Sequence, residues 1–351
     1  MDSNSQKNIY DLVVIGNGIA AQYFLWNLSN TDSKSQNFSI AHIYSKEIAP
    51  PCSLRSSATV SLNGIEEDVS QLGNDMREAF FLFDDLYKNH RPEGVEEITR
   101  TVVSTNENDT KKLTRRYKVL KTVTSEKLKN HYPGAEYNSY VITPEVFSNW
   151  MSKKISIKKT DYPFFVKDMT EVENLFHLKL QNGEVVVAKK ILFAIGAFAK
   201  IFEKFYSPPD SESIELKNMI KAGSYLERNI NLGDKSFYLS IDGHQVLYRT
   251  NSFEQKLIIG SATTVGAFEA TDVALLSELF LKLKDLLTFD IGIISDFKVV
   301  TGLRHKGPKR LVICSAIDSE KRLFRINGLY KNGYTLGLLA AKRMEKLIFT
   351  S

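Results

Sequence analysis

The stretch IYDLVVIGNGIAAQYFLWNL, Ile9 to Leu28, constrains the fold more than any other part of the chain. Leu12 to Ile15 form a short continuous apolar run, the pattern of a strand buried on both faces in a parallel sheet. Gly16-Asn17-Gly18 follows at once. Ile19 to Leu28 then reads as a helix with Ala20, Ala21, Phe24 and Leu25 on its packed side. Strand, glycine turn and helix in that order cradle a dinucleotide pyrophosphate. Gly16 permits the tight turn, and Gly18 has no Cβ to block the phosphates. Ala21 takes the place of a third glycine and still lets helix and sheet approach. The anion sits over free N–H groups at the helix start. A chance GxGxxA turn has the same letters, but its position directly after an N-terminal strand favours the nucleotide.

The second strand is expected near Phe38 to Tyr44, with an acid at its end to hold a ribose. Tyr44 or Ser45 occupies that spot, with Lys46 and Glu47 just beyond. Ser45 offers single hydrogen bonds rather than a carboxylate's two oxygens. Pro50 to Gly64 is a serine-rich loop. Ser53, Ser56 and Ser57 there can face phosphate oxygens or serve only as caps and turns.

Composition narrows the class. The chain has 351 residues, 43% hydrophobic and 25% charged, which suits two domains with a substantial core. Lys+Arg 46 against Asp+Glu 41 gives +5, far from the excess of a tail-driven nucleic-acid binder. Cys52 and Cys314 form no disulfide framework and fit a reducing compartment. Met1 to Asn8 is polar, and no apolar run is long enough to span a bilayer, so a cytoplasmic protein is expected. The six histidines show no metal spacing, and no HExxH, GxSxG or P-loop is present. Any catalysis therefore comes from a cofactor.

Further along, Val69 to Asn89 reads as a long amphipathic helix. Asp272 to Leu287 reads as another, with leucines recurring every four residues. Thr101 to Ser104, Phe164 to Val166, Ser236 to Ser240, His244 to Arg249 and Lys256 to Ile259 read as strands. Gln181-Asn182-Gly183 marks a hairpin turn between Phe176–Leu180 and Glu184–Val187. Lys190 to Ile195 is a buried strand ending at Gly196. Basic runs at Lys111–Lys121 and Lys153–Lys159 read as solvated faces before they read as polyanion sites.

Four segments resemble the FAD-dependent D-amino-acid-oxidase-like superfamily, nearest to glycine and sarcosine oxidases. They are Val13 to Ala21, the serine loop Cys52 to Gly64, ILFAIGAFA at Ile191 to Ala199, and a C-terminal pair. That pair is TGLRHKGPKR (Thr301 to Arg310) and NGLYKNGYTLGLLAAKRM (Asn327 to Met344). The resemblance implies an α/β fold. A Rossmann-like FAD-binding domain is assembled from 1–85, 149–219 and 301–351, and an antiparallel-sheet, α+β substrate domain from 86–148 and 220–300. It implies non-covalent FAD, because Gly328 to Tyr334 has no cysteine and Cys314 lies on a predicted strand. FAD contacts fall on Gly16, Gly18, Ala21, Tyr44, Ser45, Ser56, Ser57, Val166 (backbone against adenine), Gly196, Asn332, Gly333, Tyr334 and Thr335. The flavin ring is expected beside Asn332-Gly333, where a helix N-terminus faces the charge of a reduced flavin.

The resemblance also places Arg304 on the arginine that grips a substrate carboxylate with its planar fork. His305 and Lys306 replace the usual proline after it, and an ordinary salt bridge is the alternative role. Tyr248 and Tyr330 are candidates over the substrate, with core or sheet-surface packing equally open. The implied reaction is oxidation of a C–N bond of a small amine or amino acid, by hydride transfer to flavin N5 with formation of an imine. Oxygen or another acceptor then takes the electrons. Two rivals stand beside it, the first motivated by the departures at Tyr44, His305 and Lys306 and by the basic runs near Lys111 and Lys153. One is an FAD enzyme acting on a modified nucleoside or on a side chain of a partner protein. The other is a flavin-binding protein without turnover.

Overall fold

Residues 9–31, 38–45, 47, 50–62, 70–116, 120–202, 220–265 and 273–349 are described by a computed structural model. The chain divides into two units, each assembled from separated segments.

The first unit comprises Met1–Leu54, Ser148–Ile220 and Arg304–Ser351. The apolar run of the first strand, Ile9–Ile15, pairs in parallel with Ile40–Ile43 on one side and with Val185–Phe193 on the other. Lys159–Tyr162 extends the sheet beyond Ile40–Ile43, and Leu323–Asn327 beyond Val185–Phe193, both in parallel. Ile313–Ala316 closes that edge antiparallel. Leu12, Val13 and Val14 are all fully buried, so both faces of the sheet are covered. One face holds a cluster that includes Val13, Ile15, Val166, Leu178 and Ile191. The strand Val185–Phe193 is shared, because its first half also pairs antiparallel with Leu175–Leu180. The hairpin turn before it falls at Gln181-Asn182-Gly183, with Gly183 at φ +89° and the Asn182 side chain accepting from the Glu184 amide. The helices Ile19–Ser29 and Gly333–Phe349 pack on each other so closely that a Cβ at Gly337 would lie 2.6 Å from the Tyr23 ring.

The second unit comprises Arg55–Phe147 and Lys221–Leu303. Its N-terminal boundary differs from the one read in the sequence. The segment 55–85 belongs here because Thr59–Ser61 pairs with Tyr132–Ile142, and the helix Gln71–His90 sets Phe80, Phe83 and Tyr87 around Tyr140. The sheet is also not wholly antiparallel, since Phe237–Ile241 runs parallel to Val95–Val103. Helix Val273–Leu286 covers one face through Leu276, Leu279, Phe280 and Leu283.

Candidate cofactor and anion site

The glycine turn lies between strand Ile9–Ile15 and helix Ile19–Ser29. Gly16 adopts φ +126°, its amide donates to Ile43 O (2.9 Å), and a Cβ there would sit 2.3 Å from Ala194 O. Glycine is thus required by the protein itself. Gly18 is different. The nearest atoms to a Cβ there are Pro51 Cβ and Ser53 Oγ, both at 4.0 Å. The protein leaves this position open, as a phosphate approaching the backbone requires. The first turn carries no acid, and Ser53 Oγ accepts from the Ile19 amide (3.3 Å). Ala21 is fully buried. These features fit a dinucleotide phosphate over the helix start.

His42 lies beneath this turn. Its Nε2 is 2.7 Å from Gly16 O and its Nδ1 3.0 Å from Asp161 Oδ1. The His42 hydrogen bond, followed by the Lys159 ammonium, holds the Asp161 carboxyl down at about 2. The Tyr44 amide donates to Tyr162 O (3.0 Å), and its ring lies 4.9 Å from that of His42. Ser45 Oγ accepts from the Glu47 amide (3.1 Å), and the Glu47 carboxylate takes a hydrogen bond from Gln181. Lys46 lies outside the described residues.

The C-terminal glycine turn is zipped to the end of strand Lys298–His305. His305 O accepts from the Tyr330 amide (3.0 Å), Lys306 bridges Leu329, and the Asn332 amide donates to Leu329 O (2.9 Å). Tyr330 takes the left-handed conformation at φ +48°. Asn332 O then accepts from the Leu336 amide (2.7 Å) as the helix Gly333–Phe349 begins. That start meets the first helix. A Cβ at Gly333 would lie 3.3 Å from Ile19 Cγ2, the Tyr23 hydroxyl donates to Tyr334 O (3.2 Å), and the Tyr334 hydroxyl donates to Ser53 O (3.0 Å). Thr335 is buried, and Gly196, at φ +54°, accepts from the Asn327 side chain (3.1 Å).

Charge collects at this turn. Arg304 is only 9% exposed, and its Nη1 has no hydrogen-bond partner. Lys331 is an exposed residue as a whole, yet its ammonium is crowded by protein atoms and lies near the Arg304 and Arg310 guanidinium groups. Burial first, and those two charges second, push its pKa down to about 8. His305 is buried with neither ring nitrogen bonded; burial, then the Arg325 charge, push its pKa down to about 4. Among the described residues no carboxylate pairs with Arg304, Arg310 or Lys331. Like charges gathered this way are relieved by an anion.

Known proteins can be set beside this geometry. No protein-family model matches the sequence, and no curated protein matches it. Solved structures do match over almost the whole chain. Glycine oxidase from Geobacillus kaustophilus superposes with a TM-score of 0.76 at 16% identity, covering 97% of this chain and 95% of that one. FAD-bound L-alpha-glycerophosphate oxidase from Mycoplasma pneumoniae gives 0.77 at 14%, with 97% and 95% covered. L-proline dehydrogenase from P. horikoshii gives 0.76 at 14%, with 98% and 94% covered. The chain has the D-amino-acid-oxidase-like fold. Within that fold, the first unit brings together Gly16, Gly18, Ala21, Asn332, Gly333 and Tyr334, with Tyr330 on the adjoining turn and Arg304 at the end of the strand bonded to that turn.

The other expected residues are placed as follows. Ser56 and Ser57 belong to the second unit, where Ser57 O accepts from Arg249 (3.5 Å); Ser53 is the serine at the helix start. Val166 has its side chain in the sheet core, leaving only its backbone for a ligand. Tyr248 is placed as a core residue. It is fully buried beneath helix Val273–Leu286, and its hydroxyl accepts from the Leu232 amide (3.1 Å) and donates to Gly233 O (3.0 Å). Its single O–H donor is used within the second unit, and alternation along the strand turns Leu247 to the other face. Sequence reading missed the His42–Asp161 pair, which joins residues 119 positions apart, and Lys331, whose neighbours are set by the turn.

Proposed function

We propose that this chain is an FAD-dependent oxidoreductase that oxidises a C–N bond of a small amine or amino acid bearing a carboxylate. The observation that carries the reading is the buried, unpartnered Arg304 Nη1 beside the turn that starts helix Gly333–Phe349. Support comes from the shared fold, in which glycine oxidase and L-proline dehydrogenase are similar structures.

Gly16, Gly18 and the first turn of helix Ile19–Ser29 would hold the pyrophosphate of FAD. The backbone at Asn332 to Thr335 would face its ring. FAD, when bound, supplies a two-electron acceptor for the hydride on the substrate carbon. The protein's contribution is placement. The Arg304 fork fixes the carboxylate by charge-assisted hydrogen bonds, and with it the direction of the Cα–H. Lys331 adds positive charge without a second rigid fork. No dedicated base is needed when the amine binds neutral. The buried His305 ring is pushed toward its neutral form. Attachment of FAD is non-covalent in this reading. Cys314 lies on strand Ile313–Ala316, not in the Gly328–Tyr334 turn, and its Sγ is 3.6 Å from Ala340 O.

An absorption spectrum of the purified protein, followed by a steady-state assay with glycine, sarcosine, proline and D-amino acids, tests this. A flavin spectrum bleached by one of these substrates is expected. Protein that neither carries nor takes up FAD would refute the cofactor. A bound flavin reduced only by substrates lacking a carboxylate would refute the Arg304 clamp.

A further inference from the structure

Arg100 stands in the middle of strand Val95–Val103 in the second unit and is only 7% exposed. Its Nη1 donates to Ser61 Oγ (3.0 Å) and its Nη2 to Ser240 Oγ (3.1 Å). The guanidinium lies over the Tyr238 ring, 4.4 Å from its centroid, with the Tyr137 ring at 5.7 Å. Both hydrogen-bond partners are neutral. Among the described residues no carboxylate pairs with Arg100, and its Nε is buried with no partner. A guanidinium has five N–H donors, so three are unused. The Ser139 hydroxyl, cross-strand from Ser61, is fully buried and also without a partner.

Register gathers these groups on one face. Arg100 pairs with Tyr137 and Tyr238, Val102 with Ser240, and Ile98 with Ser139. Positions 98, 100 and 102 alternate onto the same side. That side carries the small cluster Val141, Tyr225, Tyr238, Leu247 and Ile258. Val103, Ile241 and Tyr248 point the other way, into the core under helix Val273–Leu286. The arginine is therefore set among apolar and aromatic groups, where an uncompensated charge is costly. Serine hydroxyls and ring faces orient the cation but leave its charge standing.

We propose that Arg100, Ser61, Ser139 and Ser240 form a binding site for the carboxylate or phosphate oxyanion of a small ligand. The unused N–H groups offer the planar donor pair that such oxygens match, and the anion supplies the negative charge that the surrounding side chains omit. The site stands on the second unit's residues alone and does not depend on the oxidoreductase reading. If Arg100 were only a brace between serines, its unpartnered Nε and the idle Ser139 hydroxyl would serve nothing.

Thermal unfolding of the full, FAD-loaded chain tests the site, with sodium acetate and sodium phosphate compared against sodium chloride at matched ionic strength. The R304M variant is the reference, because it removes the other proposed oxyanion contact. In R304M, acetate or phosphate is expected to raise Tm in a saturable way that chloride does not. A response to acetate alone marks a carboxylate ligand; a response to phosphate alone marks a phosphate. The increment should vanish in R304M/R100M. It should weaken severalfold in R304M/S139A, which keeps Arg100 and its two serine bonds and so should match R304M in chloride. Absence of any oxyanion-specific increment in R304M would overturn the proposal. So would an increment unchanged by both second substitutions. If R304M/R100M does not fold, R304M/S139A decides alone. Loss of flavin reduction in these proteins bears on Arg304 and the proposed function, not on this site.

Discussion

At the scale of single residues, the decisive feature is positive charge without carboxylates. Replacing Arg304 by Ala removes the fork and is expected to lower kcat/KM for a carboxylated substrate by about 2–4 kcal/mol, roughly 30- to 1,000-fold. Steady-state kinetics on the reactive amine checks it. Lys331 gives the pH dependence a sign. Its ammonium deprotonates near 8, so positive charge beside Arg304 is lost as pH rises through that value. Carboxylate affinity should therefore fall above pH 8. The K331R variant, which stays charged, should keep its affinity flat there, as inhibition constants for a simple carboxylate would show. His305 acts on stability instead. Its folded pKa, about 4, lies below the ordinary 6.5, so the unfolded chain binds the extra proton between these values. Stability contributed by the neutral ring is complete above pH 6.5 and is lost as pH falls toward 4, by up to about 3 kcal/mol. Urea titrations of H305F across that window should show a flatter acid limb than the wild type. An unchanged limb would mean that His305 is not kept neutral in the fold.

At the scale of elements, the two glycines of the first turn separate folding from cofactor binding. Gly16 is demanded by its φ of +126° and by Ala194 O, so G16A should destabilise the protein itself. Gly18 has φ −78° and open space at its Cβ position. G18A should leave the thermal midpoint of cofactor-free protein within a few degrees of the wild type while weakening FAD retention at least tenfold. Equilibrium dialysis with FAD, beside calorimetry of the stripped protein, distinguishes the two effects. Full FAD retention by G18A would exclude close phosphate approach at that residue. The crossing of the two long helices is set by a third glycine, since a Cβ at Gly337 meets the buried Tyr23 ring. G337A is expected to cost about 1–3 kcal/mol through overpacking.

At the scale of the whole molecule, the parallel sheet ties distant segments into one folding unit. Strand Ile9–Ile15 is flanked by Ile40–Ile43 and Val185–Phe193, and Leu323–Asn327 lies beyond the latter. Parallel neighbours need long crossovers, so the chain must leave the sheet and return. Truncation after residue 303 deletes the strand Leu323–Asn327 and the helix Gly333–Phe349. That protein should fail to bind FAD and should lose cooperative unfolding, as flavin fluorescence and circular dichroism would report. Acid stability belongs to this scale too, because the Asp161–His42 pair joins two neighbouring strands. Asp161, held down at about 2, contributes stability above its ordinary value near 3.9, and this is lost as pH falls toward 2.

The sequence alone determined what short-range chemistry can determine. An apolar run before Gly16 makes a buried strand, Asn182-Gly183 makes a hairpin turn, and leucines at every fourth position make a helix with one buried side. The glycine turn and the C-terminal Asn332-Gly333 helix start were legible for the same reason, since backbone conformation and helix ends are set within a few residues. Only the tertiary structure decided what depends on which strand lies beside which. Sheet register turned Tyr248 into the core and put Arg100 on the opposite face beside Ser61 and Ser240. The pairing of Thr59–Ser61 with Tyr132–Ile142 carried Ser56 and Ser57 into the second unit and left Ser53 at the helix start. The bridge from Lys306 to Leu329 set Lys331 near Arg304. A side-chain period of two means that one step of register reverses every face, and no local pattern fixes that step between strands that are distant in the sequence.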